Sequence, residues 1–248
     1  MNYESPNERH KDLMVNIKNY FNQEKSETIF QKRNTIKIVE FEGGKYVVKS
    51  FRVPHILNQI VYRFFRDSKA RRSFDNSWKL VKMGVNTPQP IGYVEFSTNL
   101  RFKESYYISD FFDYDFEIRA VFRDKNFEDR ENILKEFMKF THKLHQKGVY
   151  HIDYSPGNIL IKKKGYGYEF SIIDVNRMKF LEFDNELCMK SMAKLTNDKE
   201  DNNFMLKHYA QISKLDENEL KKYFKKALEE QAKYLNNKKK FKKLKGKV

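Results

Sequence analysis

Glycine is scarce at the start of this 248-residue chain: none precedes Gly43, so the first forty-odd residues hold no G-x-G-x-x-G loop. No Gly-Lys-Ser or Gly-Lys-Thr occurs anywhere, which excludes a Walker A phosphate loop. The single cysteine, Cys188, excludes an intramolecular disulfide and a cysteine-rich zinc site, as suits a reducing cytoplasm. No apolar run approaches the roughly 20 residues that a helix needs to cross a bilayer. The opening residues, Met-Asn-Tyr-Glu-Ser-Pro-Asn-Glu-Arg-His, are polar and include acids, unlike a secretory signal, so a soluble or peripheral protein is expected. Acids are also in short supply, 34 against 49 lysines and arginines, for a net charge of +15. Even so, 40% hydrophobic and 15% aromatic residues describe a folded globule with ample material for a core.

What is present concentrates in one stretch. His151-Ile-Asp153-Tyr-Ser-Pro-Gly-Asn158 is followed sixteen residues later by Ile172-Ile-Asp174, the H-x-D-x-x-x-x-N loop and downstream metal-binding aspartate of a kinase-like phosphotransferase. Phosphoryl transfer needs a carboxylate to orient the attacking hydroxyl and accept its proton, and oxygen ligands to hold Mg²⁺ on the phosphates of ATP. Asp153 fits the first role; Asn158 and Asp174 fit the second. The surrounding pattern agrees. Ile133, Leu134, Phe137, Met138, Thr141 and Leu144 form one stripe of a helix over 130–147, with Gly148 as its C-terminal stop. A short strand at 149–152 leads into the loop, and a hairpin of 159–161 with 168–173 follows it, a 162–167 turn between.

An ATP-binding half is expected upstream. Tyr46-Val-Val-Lys49 resembles the strand whose lysine contacts nucleotide phosphates, preceded by a strand over 35–41 and a turn at Glu42-Gly43-Gly44-Lys45. A further strand at Glu27–Gln31 makes Lys32-Arg33-Asn34 the turn over the nucleotide, where two cations could meet phosphate directly in place of a glycine loop; a solvated basic turn fits equally well. The lysine needs an acidic partner, and the helix over 68–83 offers Asp75, one methylene shorter than the usual Glu. Strands at 91–95 and 106–112 complete the half, with 109–113, Asp110 included, as the hinge against which adenine would lie.

The runs Ser68-Lys-Ala-Arg-Arg-Ser-Phe-Asp, Gly84-Val-Asn-Thr-Pro-Gln-Pro-Ile-Gly-Tyr, His151 to Asn158 and Asp174-Val-Asn-Arg177 resemble the lipopolysaccharide kinase family, over roughly 25–215. The resemblance implies a two-lobed α+β protein-kinase-like fold, with a small N-terminal sheet lobe over 1–112 and a larger helical lobe over 113–237. It further implies ATP and Mg²⁺ as cofactors, and phosphorylation of Kdo or heptose in the inner core, at the inner face of a bacterial inner membrane. It assigns Asp153 as base, Asn158 and Asp174 as metal ligands, Lys49 to the phosphates and Asp75 as its partner. Arg177 stands where the family also has arginine, for an acidic sugar or a structural ion pair.

No proline follows Pro156, so the Ala-Pro-Glu end of a protein kinase's activation segment is absent, and a small or lipid-linked hydroxyl is favoured over a protein substrate. Residues 219–248 carry twelve lysines and three acids, and the tail 238–248 has seven lysines and no acid. Such a run suits an anionic membrane surface, nucleic acid, or solubility alone. Ile56, Leu57, Ile60, Val61, Phe64 and Phe65 form an apolar helical stripe among arginines, expected to pack into the core and otherwise to touch lipid. A kinase-fold enzyme for a soluble aminoglycoside- or choline-type hydroxyl, and a pseudokinase docking on membrane or RNA, are the alternatives.

Overall fold

A computed structural model describes residues 1–244; the end of the lysine-rich tail, 245–248, lies outside the described residues. The chain forms two compact units, Met1–Asp113 with Ser171–Arg177, and Tyr114–Phe170 with Met178 onward.

The first unit is built on a six-stranded sheet. In chain order its elements are β1 (Asn2–Glu4), α1 (Lys11–Val15), α2 (Ile17–Asn22), β2 (Glu27–Gln31), β3 (Asn34–Phe41), β4 (Gly44–Phe51), α3 (Ile56–Phe64), α4 (Lys69–Lys82), β5 (Pro90–Ser97) and β6 (Phe102–Asp110). The strand order is β1-β5-β6-β4-β3-β2, every pairing antiparallel. Strand alternation gives the sheet two apolar faces. Tyr46 and Val48 of β4 and Ile108 of β6 pack with Leu13, Met14 and Ile17 of α1 and α2. Phe51, one strand step out of phase, packs on the other face with Ala70 and Phe74 of α4 and with Tyr93. Ser68 caps α4, its hydroxyl accepting from the Arg71 amide at 3.0 Å.

One expectation fails here. The stripe on α3 is not core: Ile56, Ile60, Val61 and Phe64 are 41–56% exposed, Phe65 just beyond is 81% exposed, and the side chain of Leu57 lies outside the described residues. The helix turns Gln59 inward instead, where its amide nitrogen donates to the Pro54 carbonyl at 2.9 Å. Hydrophobic periodicity reveals that a helix is amphipathic, not which face a protein buries.

The second unit contains β7 (Phe116–Glu117), α5 (Ile118–Arg123), α6 (Arg130–Gln146), β8 (Val149–His151), β9 (Ile159–Lys164), β10 (Gly167–Ile172, its last two residues counted with the first unit), β11 (Met178–Phe180), α7 (Asn185–Met192), α8 (Lys199–Ser213) and α9 (Glu217–Leu244). The stripe expected on α6 is buried. Gly148 ends that helix with a φ of +67°, and a β-carbon there would press on the Leu181 carbonyl. Asp201 of α8 is buried and binds Arg130 at 2.5 Å and Lys125 at 3.0 Å, joining α8 to the start of α6. The lysine-rich tail begins inside a helix: α9 packs through Leu220, Phe224 and Ala227, then runs on with Tyr234 and Phe241 exposed.

His145 of α6 is buried, its Nδ1 2.8 Å from the Tyr209 hydroxyl and its ring stacked on Phe183. Burial holds its pKa down to about 3, and neighbouring His142 pushes the same way. The unfolded chain therefore takes up this proton first. The stabilisation is complete above about pH 6.5 and is lost toward pH 3, by at most about 1.4 kcal/mol per pH unit. His10, His142 and His208 are lowered by burial too and share the acid limb. Melting curves at pH 7 and 4.5 should show a smaller acid-induced fall in Tm for His145→Phe than for the parent protein; an equal fall would acquit this histidine.

Candidate active site

Lys49 lies on β4 one step from Val48 and two from Phe51, so alternation turns it to the α4 face of the sheet. Its ammonium donates to Oδ1 of Asp174 at 2.6 Å, with the side chains 12% and 30% exposed. The segment Ser171–Arg177 clusters with this first unit. The loop after α4 grips its start: Ile172 N–H donates to the Asn86 carbonyl at 3.0 Å, and the Thr87 hydroxyl donates to the Ile172 carbonyl at 2.8 Å. α4 holds its end, with the Asn76 amide on the Val175 carbonyl at 2.7 Å and Arg72 Nε on the Asn176 carbonyl at 3.3 Å. Between these anchors Asp174 adopts a φ of +58°, a conformation costly for a side-chain-bearing residue and common where a functional group must be aimed. The Asn176 amide donates to the same Oδ1 at 2.5 Å.

The partner expected for Lys49 was Asp75, and the structure places it elsewhere. Asp75 is on the exposed side of α4, 3.7 Å from Arg71 one turn earlier, with both side chains about half exposed. The helical positions facing the 171–177 turn are Arg72 and Asn76, so no α4 carboxylate reaches the lysine and Asp174 itself takes that role.

The second unit carries the other motif. Asp153 N–H donates to Nδ1 of buried His151 at 3.0 Å, which leaves the imidazole proton on Nε2. Asn158 donates its amide nitrogen to the Asp153 carbonyl at 2.9 Å, and this fixes which end of the amide is left as an oxygen acceptor. Tyr154 is buried, its hydroxyl 2.9 Å from Thr141 of α6. Gly157 admits the Arg119 guanidinium so closely that any β-carbon would collide with it. Lys194, two residues beyond α7, donates to the Ile152 carbonyl at 3.1 Å and the Tyr150 hydroxyl at 3.0 Å. Asn176 could have been singled out from its Asp-x-Asn spacing. Nothing in the sequence pointed to Lys194, forty-two residues from its carbonyl.

The remaining candidates divide. Arg33 and Arg177 line a cavity of about 400 Å³ that Asp174 and Asn176 also face, whereas Lys32 is not in its wall and lies 5.8 Å from the Phe30 ring. Asp110 ends β6, and burial raises its carboxyl pKa while His10 opposes the rise. The amides of Asp110 and Phe111 are committed to the Gln89 and Lys45 carbonyls at 2.9 and 3.0 Å, so these two N–H groups are not open to adenine in this arrangement. Among the described residues no cluster of three or more His, Cys, Asp or Glu is placed to hold a metal alone. A nucleotide-borne Mg²⁺ asks for less, one or two protein oxygens with phosphates and water supplying the rest. In the first unit the Asp174 carboxylate is an oxygen donor of the right hardness for it, and in the second unit so is the Asn158 amide oxygen.

Residues 22–224 match the sequence profile of the lipopolysaccharide kinase (Kdo/WaaP) family. Among solved structures the chain is similar to "WaaP in complex with acyl carrier protein", with a TM-score of 0.63 and 15% identity, over 93% of this chain and 99% of that one. That likeness establishes a kinase-like fold. A search of curated protein sequences gave no match.

The geometry on α4 separates two aspartates. Asp75→Ala removes an exposed pair and should change stability by no more than about 0.5 kcal/mol, with ATP turnover within twofold of the parent. Denaturant titration and a steady-state kinase assay check both. A hundredfold loss of turnover would restore Asp75 to the lysine's service.

Proposed function

Because the chain belongs to the lipopolysaccharide kinase (Kdo/WaaP) family, we propose that it transfers the γ-phosphate of ATP to a hydroxyl of an inner-core sugar, Kdo or a heptose, on a lipid-linked acceptor. Membership makes it an ATP-dependent phosphotransferase of the lipopolysaccharide core. The sugar and the residue roles are our reading. The observation that carries it is the charged arrangement around Asp174: Lys49 on its carboxylate, and a cavity beside it lined by Arg33 and Arg177. Phosphate and Kdo carboxylate groups are both anions that such a wall would favour.

Asp153 accepts the proton of the attacking hydroxyl, and the His151 and Asn158 bonds to its own backbone hold it to that task. Lys49 meets the nucleotide phosphates. Asp174 and Asn158 would hold Mg²⁺, which neutralises charge developing on the transferred group. Arg177 and Arg33 orient the acidic acceptor, and His151, Tyr154 and Lys194 keep the loop in shape. Among the described residues no helix is long and apolar enough to cross a membrane, so access to a lipid-linked sugar is proposed to be peripheral, aided by the lysine-rich end of α9.

Asp153→Ala should lower turnover by about 10²–10⁴ while leaving the melting temperature unchanged, since it removes proton transfer and not packing. Asp174→Ala should lose Mg²⁺-dependent nucleotide binding along with turnover. Isothermal titration with an ATP analogue, with and without Mg²⁺, separates the two, and near-parental phosphotransfer by both variants would overturn the assignment.

The acceptor is tested with radiolabelled ATP offered alongside Kdo-lipid A, a heptosylated core, an aminoglycoside and a generic basic protein. Label is expected on a core glycolipid. Label confined to the aminoglycoside or the protein would sink the core-sugar reading.

A further inference from the structure

The helix α3 is inverted relative to the usual surface helix. Gln59 and Tyr62 face the protein, Tyr62 with its ring 5.9 Å from Phe102 of β6, while Ile56, Ile60, Val61 and Phe64 face out. Exposed apolar residues scattered singly need no explanation, but this is a continuous face over two and a half turns, extended by Phe65. Leaving it in water is costly, at about 25 cal/mol for every Å² of apolar surface. Gln59 and Tyr62 anchor the helix in an orientation that a core-seeking stripe would not choose.

The charges around the helix are equally one-sided. Between Gly43 and Arg66 there is no Asp or Glu. Arg63 and Arg66 flank the stripe, their guanidinium groups 5.6 Å from the rings of Phe64 and Tyr62. Asn58, Tyr62 and Arg66 form one wall of the 400 Å³ cavity already described, so a single helix presents apolar side chains on one face and borders a cation-lined pocket on another. Among the described residues no carboxylate pairs with Arg33, Arg52, Arg66, Lys69 or Arg72, all of which line that cavity. Asp174 also lines it, but Lys49 and Asn176 bind its carboxylate. Burial holds the Lys69 ammonium below the ordinary lysine range, Tyr62 opposing, and Arg33, Arg72 and Arg177 push it the same way. Five cations along one cavity, with no carboxylate bound to any of them, are complementary to an external anion.

We propose that α3 is an interfacial helix that docks the protein on an anionic lipid bilayer, its apolar face entering the acyl boundary and the cations beside it meeting lipid phosphate or carboxylate groups. An apolar face alone would suit many partners. The two arginines that flank the stripe, joined to a pocket lined by further cations, select a surface that is apolar inside and negative outside. The inference rests on the lipid-linked acceptor proposed above for its biological sense, but not for its test. Docking through α3 would bring the cavity beside Asp174 to the level of the headgroups, where a lipid-linked sugar is held.

The test uses the full chain and flotation with vesicles, without ATP or acceptor. Parent protein should float with vesicles of equal parts phosphatidylglycerol and phosphatidylcholine, and bind pure phosphatidylcholine far more weakly. Ile60→Asp with Phe64→Asp should reduce binding to the anionic vesicles by at least about tenfold, since it places charge where acyl chains would lie. Arg63→Gln with Arg66→Gln should reduce it by about thirtyfold at low salt, from about 1 kcal/mol per cation. The loss should shrink as ionic strength rises. All four positions are exposed, so circular dichroism melts should match the parent and exclude misfolding.

Parental vesicle binding by the Ile60→Asp, Phe64→Asp variant would overturn the proposal and leave docking to another surface, such as the lysines of α9. So would a parent protein that ignores anionic vesicles, or that binds a soluble acidic protein but no vesicle. Phosphotransfer to core glycolipid in detergent micelles is measured separately. Its absence from a protein that docks through α3 would remove the core-sugar reading and not the docking. Its presence, with docking unaffected by the α3 variants, would remove the docking alone.

Discussion

The ion pair of Lys49 with Asp174 is the constraint around which the first unit is arranged. A lysine only 12% exposed has lost most of its water and is satisfied by the Asp174 carboxylate at 2.6 Å, and the strand alternation that buries Tyr46 and Val48 on one face of β4 commits Lys49 to the other. No carboxylate of α4 is available there. The helix offers Arg72 and Asn76 instead, and both bind carbonyls of the 171–177 turn. The turn is thereby held from two sides with Asp174 in a left-handed conformation, and the lysine is satisfied by the same residue proposed to meet a metal. Both charges are in place before any nucleotide arrives, the preorganisation from which electrostatic catalysis draws most of its effect.

The second unit solves a different problem, that of making a loop rigid. His151, Tyr154 and Asn158 are polar residues in a segment with little regular structure, and each spends its hydrogen bonds on fixing the backbone near Asp153. Lys194 adds a long-range tie to the Ile152 carbonyl. The glycine within the loop follows from the same crowding, because Arg119 occupies the space a side chain at 157 would need. Motif residues that look catalytic in a sequence thus include several whose work is positional.

Charge is segregated in the first unit in a way that composition alone cannot convey. Much of the net charge of +15 sits in residues 219–248, with twelve lysines and three acids. In the first unit, however, Arg33, Arg52, Arg66, Lys69 and Arg72 gather around the cavity beside Asp174 with no carboxylate bound to them among the described residues, while pairs such as Lys18 with Glu104 and Arg9 with Glu42 lie elsewhere in the unit. The outward stripe of α3 adjoins that cavity. Exposed hydrophobic side chains on α3 and cations without carboxylate partners in the cavity it borders are the physical ground for assigning this side of the unit to an anionic lipid surface.

The kinase-like class was legible from residues alone, because the motif from His151 to Asn158 and the later Asp174 are local patterns whose spacing survives any packing arrangement. So were most strands of the sheet, since alternation such as that of 35–41 is written residue by residue. β1 was not, a three-residue strand whose existence depends on pairing with β5, a partner some ninety residues away. That Lys49 answers to Asp174 and not Asp75 emerges only from packing, because which side of α4 faces the sheet is settled by the burial of Ala70, Phe74 and Leu80. The outward apolar face of α3 emerges the same way. A helical period is the same whether its stripe meets a core or a solvent, and only the surfaces available to cover it distinguish the two.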